Sequence, residues 1–153
     1  MNVAERFRLP LACCLLIAML SGVSAAAPPA PVVSSTTLLK TSTTWNGASI
    51  SYPRTENPEV QTVLVEIPHG AATAWHSHPV NNIAYLLEGD LRVEAENGAV
   101  RAFKAGDSFA ELVNAAHRGV NVGNGPVRIV VVYFGAVGTP ISVAHTGALQ
   151  GKP

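Results

Sequence analysis

The sequence predicts an all-β domain, one small sandwich or barrel of short strands. Two features of the chain lead there. From Gln61 to Phe134, short runs rich in Val, Ile, Thr and aromatic residues alternate with Gly, Pro and Asn breaks. No stretch carries an apolar 3.6-residue period over a useful length, so helices are not expected. Many short strands with frequent turns suit two packed or closed sheets. The chain has 153 residues, 48% hydrophobic and 13% charged, enough for one domain with its own core. Formal net charge is zero and no run of like charges occurs, which removes the basic stripe that a nucleic-acid partner would need.

Residues 1–25 read as a leader. Arg6 and Arg8 precede the apolar stretch LPLACCLLIAML, and small residues follow to Val23-Ser24-Ala25. Charge, apolar run and small-residue site in that order describe a secretory signal peptide. The apolar run is shorter than the roughly 20 residues a spanning helix needs. Cys13 and Cys14 lie inside the run rather than after it, which argues against a lipid anchor; an uncleaved membrane anchor is the alternative. Cleavage removes both cysteines. The expected product is a secreted or periplasmic protein with no disulfide, no thiolate ligand and no membrane attachment. Residues 26–37, rich in Pro, Ser and Thr, read as a flexible linker. The domain is expected over 38–145, with a tail at 146–153.

Within the domain, Leu38 to Lys40 is expected to begin the first strand. Trp45-Asn46-Gly47 reads as a turn whose Trp covers one end of the fold. Tyr52-Pro53 and Asn57-Pro58 mark loops, because a residue before proline avoids the helical region. QTVLVEI (61–67) is a strand. Pro68-His69-Gly70 breaks it and ATAWHSH resumes extended structure. IAYLL (83–87), apolar at every position, reads as a strand between two layers. LRVEAE and AVRAF flank Asn97-Gly98, the strongest hairpin signal in the chain. SFAEL, HRGVNV and VRIVVVYF follow as strands, and the segment after Gly135 is expected to wrap an edge.

The chemistry gathers on three histidines. His76 and His78, two apart, belong on one face of a strand. His117 sits on another strand. Such a set is the start of a metal site.

These stretches resemble the two motifs of the cupin superfamily. Gly70, His76, His78 and Gly89 fit the first pattern; Gly106, His117 and Asn121 fit the second. The resemblance spans about Gln61 to Phe134. It implies a single-domain jelly-roll β-barrel holding a divalent transition metal (Fe, Mn, Ni, Cu or Zn), with His76, His78 and His117 as ligands. Two departures bear on the chemistry. The first motif's Glu falls on Asn82, and the second motif's Pro-x-Gly falls on Leu112-Val113-Asn114. Asn82 offers an amide oxygen, a neutral and weaker ligand than a carboxylate. Three neutral histidines and an amide leave the ion's charge uncompensated in a poorly hydrated interior. Glu111 is the candidate to offset it. In the family pattern its position is apolar and faces inward, and period-two alternation puts it on the face of Phe109, opposite Ser108 and Ala110. It is expected as a replacement ligand or as a catalytic base acting on metal-bound water. The plainer readings are an exposed acid for Glu111 and a structural amide for Asn82. Trp75 and Tyr85 read as packing, and His69, His145 and Arg118 as surface groups.

Cupins include oxygenases, isomerases, decarboxylases and binding domains without catalysis. The expectation is an exported metal-binding protein, read as a metal-dependent enzyme of dioxygenase type acting on a small organic molecule. The alternative is a non-catalytic module for a metal or small ligand. A homodimer is expected, as in many members of the family.

Overall fold

The computed structural model describes residues 32–145; the expected leader and the tail at 146–153 lie outside the described residues. The chain divides into Met1–Ser34 and Ser35–Pro153, and every strand belongs to the second unit. The strands are β1 (Pro58–Ile67), β2 (His76–Ser77), β3 (Asn81–Glu88), β4 (Asp90–Ala95), β5 (Val100–Lys104), β6 (Ser108–Ala110), β7 (His117–Asn121), β8 (Val127–Ala136) and β9 (Val143–Ala144). No helix occurs among the described residues, as the missing helical period predicts. Two antiparallel sheets form, ordered β1-β8-β3-β6 and β5-β4-β7-β2-β9. This arrangement is consistent with a jelly roll, but hydrogen bonds do not close the sheets into a barrel.

Alternation builds the core. On β8, Val127, Ile129, Val131 and Tyr133 are buried while the residues between them are half-exposed. These four meet Ala84 and Leu86 of β3, Leu91 and Val93 of β4, and two phenylalanines from opposite sheets. Phe103 of β5 stacks on Phe109 of β6 with ring centres 3.7 Å apart, so one aromatic pair ties the sheets together.

Three turns fix the path of the chain, one within a sheet and two between sheets. Gly98 closes the β4–β5 hairpin at φ 84°, and its N–H donates to Ala95 O at 2.9 Å, where Asn97-Gly98 predicts the turn. Gly89, between β3 and β4, has φ 86°, and a Cβ there would stand 2.5 Å from the Pro126 carbonyl oxygen. After β7, the buried Asn121 amide donates to Ile67 O and Gly125 O while its oxygen accepts from the Gly123 N–H. One side chain thereby pins the end of β1 to the β7–β8 turn.

Three expectations are corrected. Leu38 to Lys40 forms no strand; the nearest pairing is the single bridge Thr43↔Ser49. Its turn still covers the core, because the Trp45 N–H donates to Ala110 O at 2.9 Å and the ring packs against the buried cluster. Ala110, which parity alone put outside, is 4% exposed and so buried. β3 is not sandwiched on both faces: Asn82, Ala84 and Leu86 are buried, but Ile83 is 38% and Leu87 44% exposed. On the outer face a loop comes near: the Asn81 amide donates to Ser51 O at 2.6 Å, and Ile50 and Tyr52 border a cavity with Ile83 and Phe134.

Candidate metal centre

Strand pairing brings the histidines together. β2 pairs with β7 so that His76 stands directly opposite His117. His78 follows two residues on, held by a bridge to Val113 and by the Asn114 N–H donating to its carbonyl at 2.8 Å. Asn114 adopts φ 56°, a left-handed conformation that Asn tolerates better than other non-glycine residues. It stands where the family pattern has Gly, which explains how that motif survives the departure. The three ring centroids are 4.7, 4.9 and 5.0 Å apart, and one ligand atom from each lies within 4.8 Å of the others.

The hydrogen bonds choose which nitrogen faces inward. Nδ1 of His76 meets Ala74 O at 2.8 Å, Nδ1 of His78 meets Ile141 O at 2.7 Å, and Nδ1 of His117 meets Ala115 O at 2.9 Å. A carbonyl only accepts, so each Nδ1 carries the hydrogen and each neutral ring presents its Nε2 lone pair. His117 Nε2 is buried with no partner. An orphaned buried acceptor beside two others is costly unless something electron-poor sits among them. A metal ion meets that demand, and backbone carbonyls fixing the far nitrogens are the support ligating histidines normally have. The residues therefore fit a metal.

Glu111 follows β6 and comes from the strand beside Asn82. Ile83 pairs with Ala110, and the Glu111 N–H donates to Asn82 O at 3.3 Å, so the carboxylate arises one strand over from the family's position. Its Oε2 lies 3.0 Å from His78 Nε2. The distance is that of an ion pair, yet the atoms lack hydrogen-bond alignment. Glu111 thus faces inward, on the side of Phe109. Asn82 is also inward and 2% exposed, and neither atom of its amide has a partner. It does not border the cavity between the histidines; with Glu111 it borders a second cavity of about 80 Å³.

Charge follows burial. Desolvation, the leading influence, holds His76 and His117 below their ordinary value. It also presses on His78, but the Glu111 contact outweighs it and His78 is raised. Burial alone would raise Glu111; the His78 contact and the neighbouring imidazoles bring it below the usual carboxylate value. Tyr133 is pushed well up, first by burial and then by the Glu111 charge, so its phenol stays protonated.

The cavity the histidines border is about 70 Å³. Besides them and Glu111, its walls are Val65, Ile67, Leu91, Val93, Ile129 and Val131, with Thr73, Gly119 and Tyr133. Tyr133 lies over His78 with centroids 5.2 Å apart. Sequence reasoning assigned it no role, although its parity with Val127, Ile129 and Val131 places it inside. The Ile141 carbonyl leaves no trace in the sequence at all, since any residue supplies one. His69 and His145 are exposed as expected, each with one side-chain hydrogen bond, to Gly123 O at 2.7 Å and to Ser77 Oγ at 2.9 Å. Arg118 pairs with Glu94 at 2.8 Å and lies 5.0 Å over the Trp75 ring.

Residues 63–133 match the family model of the cupin domain. No curated protein sequence matches the chain. Among solved structures, it is similar to a DMSP lyase from Ruegeria pomeroyi (TM-score 0.51, 22% identity, 58% of this chain and 45% of that one). It is similar to a cupin-like protein from Thermotoga maritima (TM-score 0.51, 22% identity, 56% and 64%). It is also similar to an oxalate decarboxylase from Lactobacillus farciminis (TM-score 0.49, 24% identity, 56% and 26%). The chain thus spans between about a quarter and two thirds of the length of these structures, and at these identities the likeness concerns the fold.

Proposed function

Because residues 63–133 of this chain are a cupin domain, we propose that it binds one divalent transition metal through Nε2 of His76, His78 and His117 and presents that metal to a small organic molecule. The observation that carries this reading is the hydrogen-bonding of all three Nδ1 atoms to backbone carbonyls, which turns three lone pairs toward one point. Glu111 supplies the negative charge that Asn82 does not, from 3.0 Å beside His78. A bound metal would supply Lewis-acid or redox chemistry at an open position. The chain's own residues orient the histidines, hold a protonated phenol at Tyr133 and exclude water with an aliphatic wall.

On this reading the protein is a dioxygenase-type enzyme. The competing reading is a binding module without turnover, and the loss of the family's Glu at Asn82 favours it. Metal content of tag-free protein, followed by dioxygen uptake with candidate substrates, separates them. No metal and no rise in melting temperature on adding metal overturns both. Metal without uptake for any substrate leaves the binding module.

Two further proposals accompany it. Export with cleavage after Ala25 or Ala26 rests on the charge, apolar and small-residue order, and an intact Met1 in a soluble cytoplasmic protein would refute it. A homodimer rests on the exposed Val60, Leu64, Ile83 and Leu87 of one sheet. A monomer mass by light scattering at micromolar concentration counts against it.

A further inference from the structure

The walls of the metal cavity carry information about what it accepts. Among the described residues that line it there is no lysine and no arginine. A divalent ion with one ionised carboxylate leaves a single positive charge, and nothing else in the wall offsets a second negative charge. The remaining wall is aliphatic apart from the neutral hydroxyls of Thr73 and Tyr133, so a dianion would leave one charge buried with no opposite charge beside it, which is strongly unfavourable.

Size acts in the same direction. At about 70 Å³, the cavity is roughly half the ~150 Å³ of an apolar cavity that takes benzene. Val93 and Val131 line it from opposite sheets. Gly119 adds no bulk, but a Cβ there would meet Leu91 Cδ1 at 3.1 Å, so the wall has no slack on that side.

We infer that the site selects short monoanions, of the class of a two-carbon monocarboxylate, and rejects dicarboxylates and bulky acids. The inference rests on the metal reading and deepens it. Charge is set by Glu111 and the lack of a cationic wall residue. Length is set by the valines.

The test uses the full-length protein loaded with cobalt(II), whose visible spectrum reports a ligand entering its coordination sphere. The probes are acetate, malonate and benzoate at one pH and ionic strength. Acetate is expected to perturb the spectrum at concentrations at least tenfold below malonate. That order reverses the one in water, where a dianion holds a dication more tightly than a monoanion does. Benzoate is expected to be inert with the natural protein and to bind Val131→Ala, whose enlarged cavity leaves the charge unchanged. Melting curves establish that the variant is folded, and Val93→Ala serves where it is not. Malonate binding as well as acetate overturns the inference and leaves the metal reading standing, as does benzoate binding the natural protein. Failure of the natural protein to take up cobalt overturns the metal reading and the inference with it.

Discussion

Glu111 Oε2 and His78 Nε2 lie 3.0 Å apart while the opposite nitrogen of His78 is committed to Ile141 O at 2.7 Å. With Nδ1 carrying the hydrogen, a neutral His78 would aim a lone pair at a carboxylate. Two such atoms do not rest 3.0 Å apart inside a protein without a proton or a cation between them. The Glu111 contact raises the His78 pKa, so it favours a second proton on that ring when no metal is bound. A metal held by His78 Nε2 would have to displace that proton.

Metal binding should therefore release protons. The Glu111 contact holds His78 above its ordinary value, so it keeps its second proton to higher pH than a free imidazole and must lose it to ligate. His76 and His117 are lowered and lose theirs at lower pH. Affinity should rise with pH through the raised value of His78 and flatten above it. Calorimetry in buffers of different ionisation enthalpy should show proton release on metal binding near neutrality that falls toward zero at high pH. A release that does not change with pH would contradict the competition.

Removing His117 should cost more metal affinity than losing an outer partner, which typically costs ~10–100-fold. His117 Nε2 has no protein partner in the fold, so His117→Ala removes a donor without breaking an internal bond of that atom. The natural protein should gain melting temperature on adding metal, and the variant should gain none. Equal gains would show that the metal sits elsewhere.

How much of this was legible follows from what each feature depends on. The histidines were readable because motif spacing holds His76 opposite His117 whatever lies between. Glu111 was readable from parity with Phe109, although alternation alone misplaced Ala110. Ala110 is met by chain far away in sequence, its carbonyl taken by the Trp45 N–H and its side chain bordering a cavity with Ile50 and Tyr52, and contacts of that kind leave no local pattern. Leu38 to Lys40 had β-compatible residues but no partner strand within reach, and propensity yields to pairing. The Ile141 carbonyl was invisible because the β9 segment that carries it docks by backbone bonds to β2.

Gly89→Ala should be among the more destabilising single-methyl changes in the domain. The residue sits at φ 86° and its Cβ would meet Pro126 O at 2.5 Å and Val127 Cγ2 at 2.9 Å. Left-handed strain and overpacking together should cost about 2–4 kcal/mol. Gly98→Ala has a similar φ, 84°, but open space around it, so it should cost only the strain. Chemical denaturation of both variants checks the order. A Gly98 variant as unstable as the Gly89 variant would mean that the Pro126 contact is irrelevant.

The last prediction moves the carboxylate. Glu111 lies one strand from Asn82, joined by the 3.3 Å bond from its N–H to Asn82 O, and both side chains are buried. If Glu111 takes the part of the family's Glu, the site needs one carboxylate and does not depend on which strand provides it. Glu111→Asn alone should weaken metal binding by roughly 10–100-fold, in the range of a lost supporting group. Asn82→Glu in that background should restore affinity to within about tenfold of the natural protein, since a charged oxygen again stands beside the ion. Asn82→Glu alone places two carboxylates side by side, which should raise the pKa of one of them and make the metal-free protein less stable near neutrality. Titration of all three variants with one metal, each first shown to melt cooperatively, decides the matter. Full affinity in Glu111→Asn would remove Glu111 from the site, and a double variant no better than Glu111→Asn would mean that position 82 does not reach the metal.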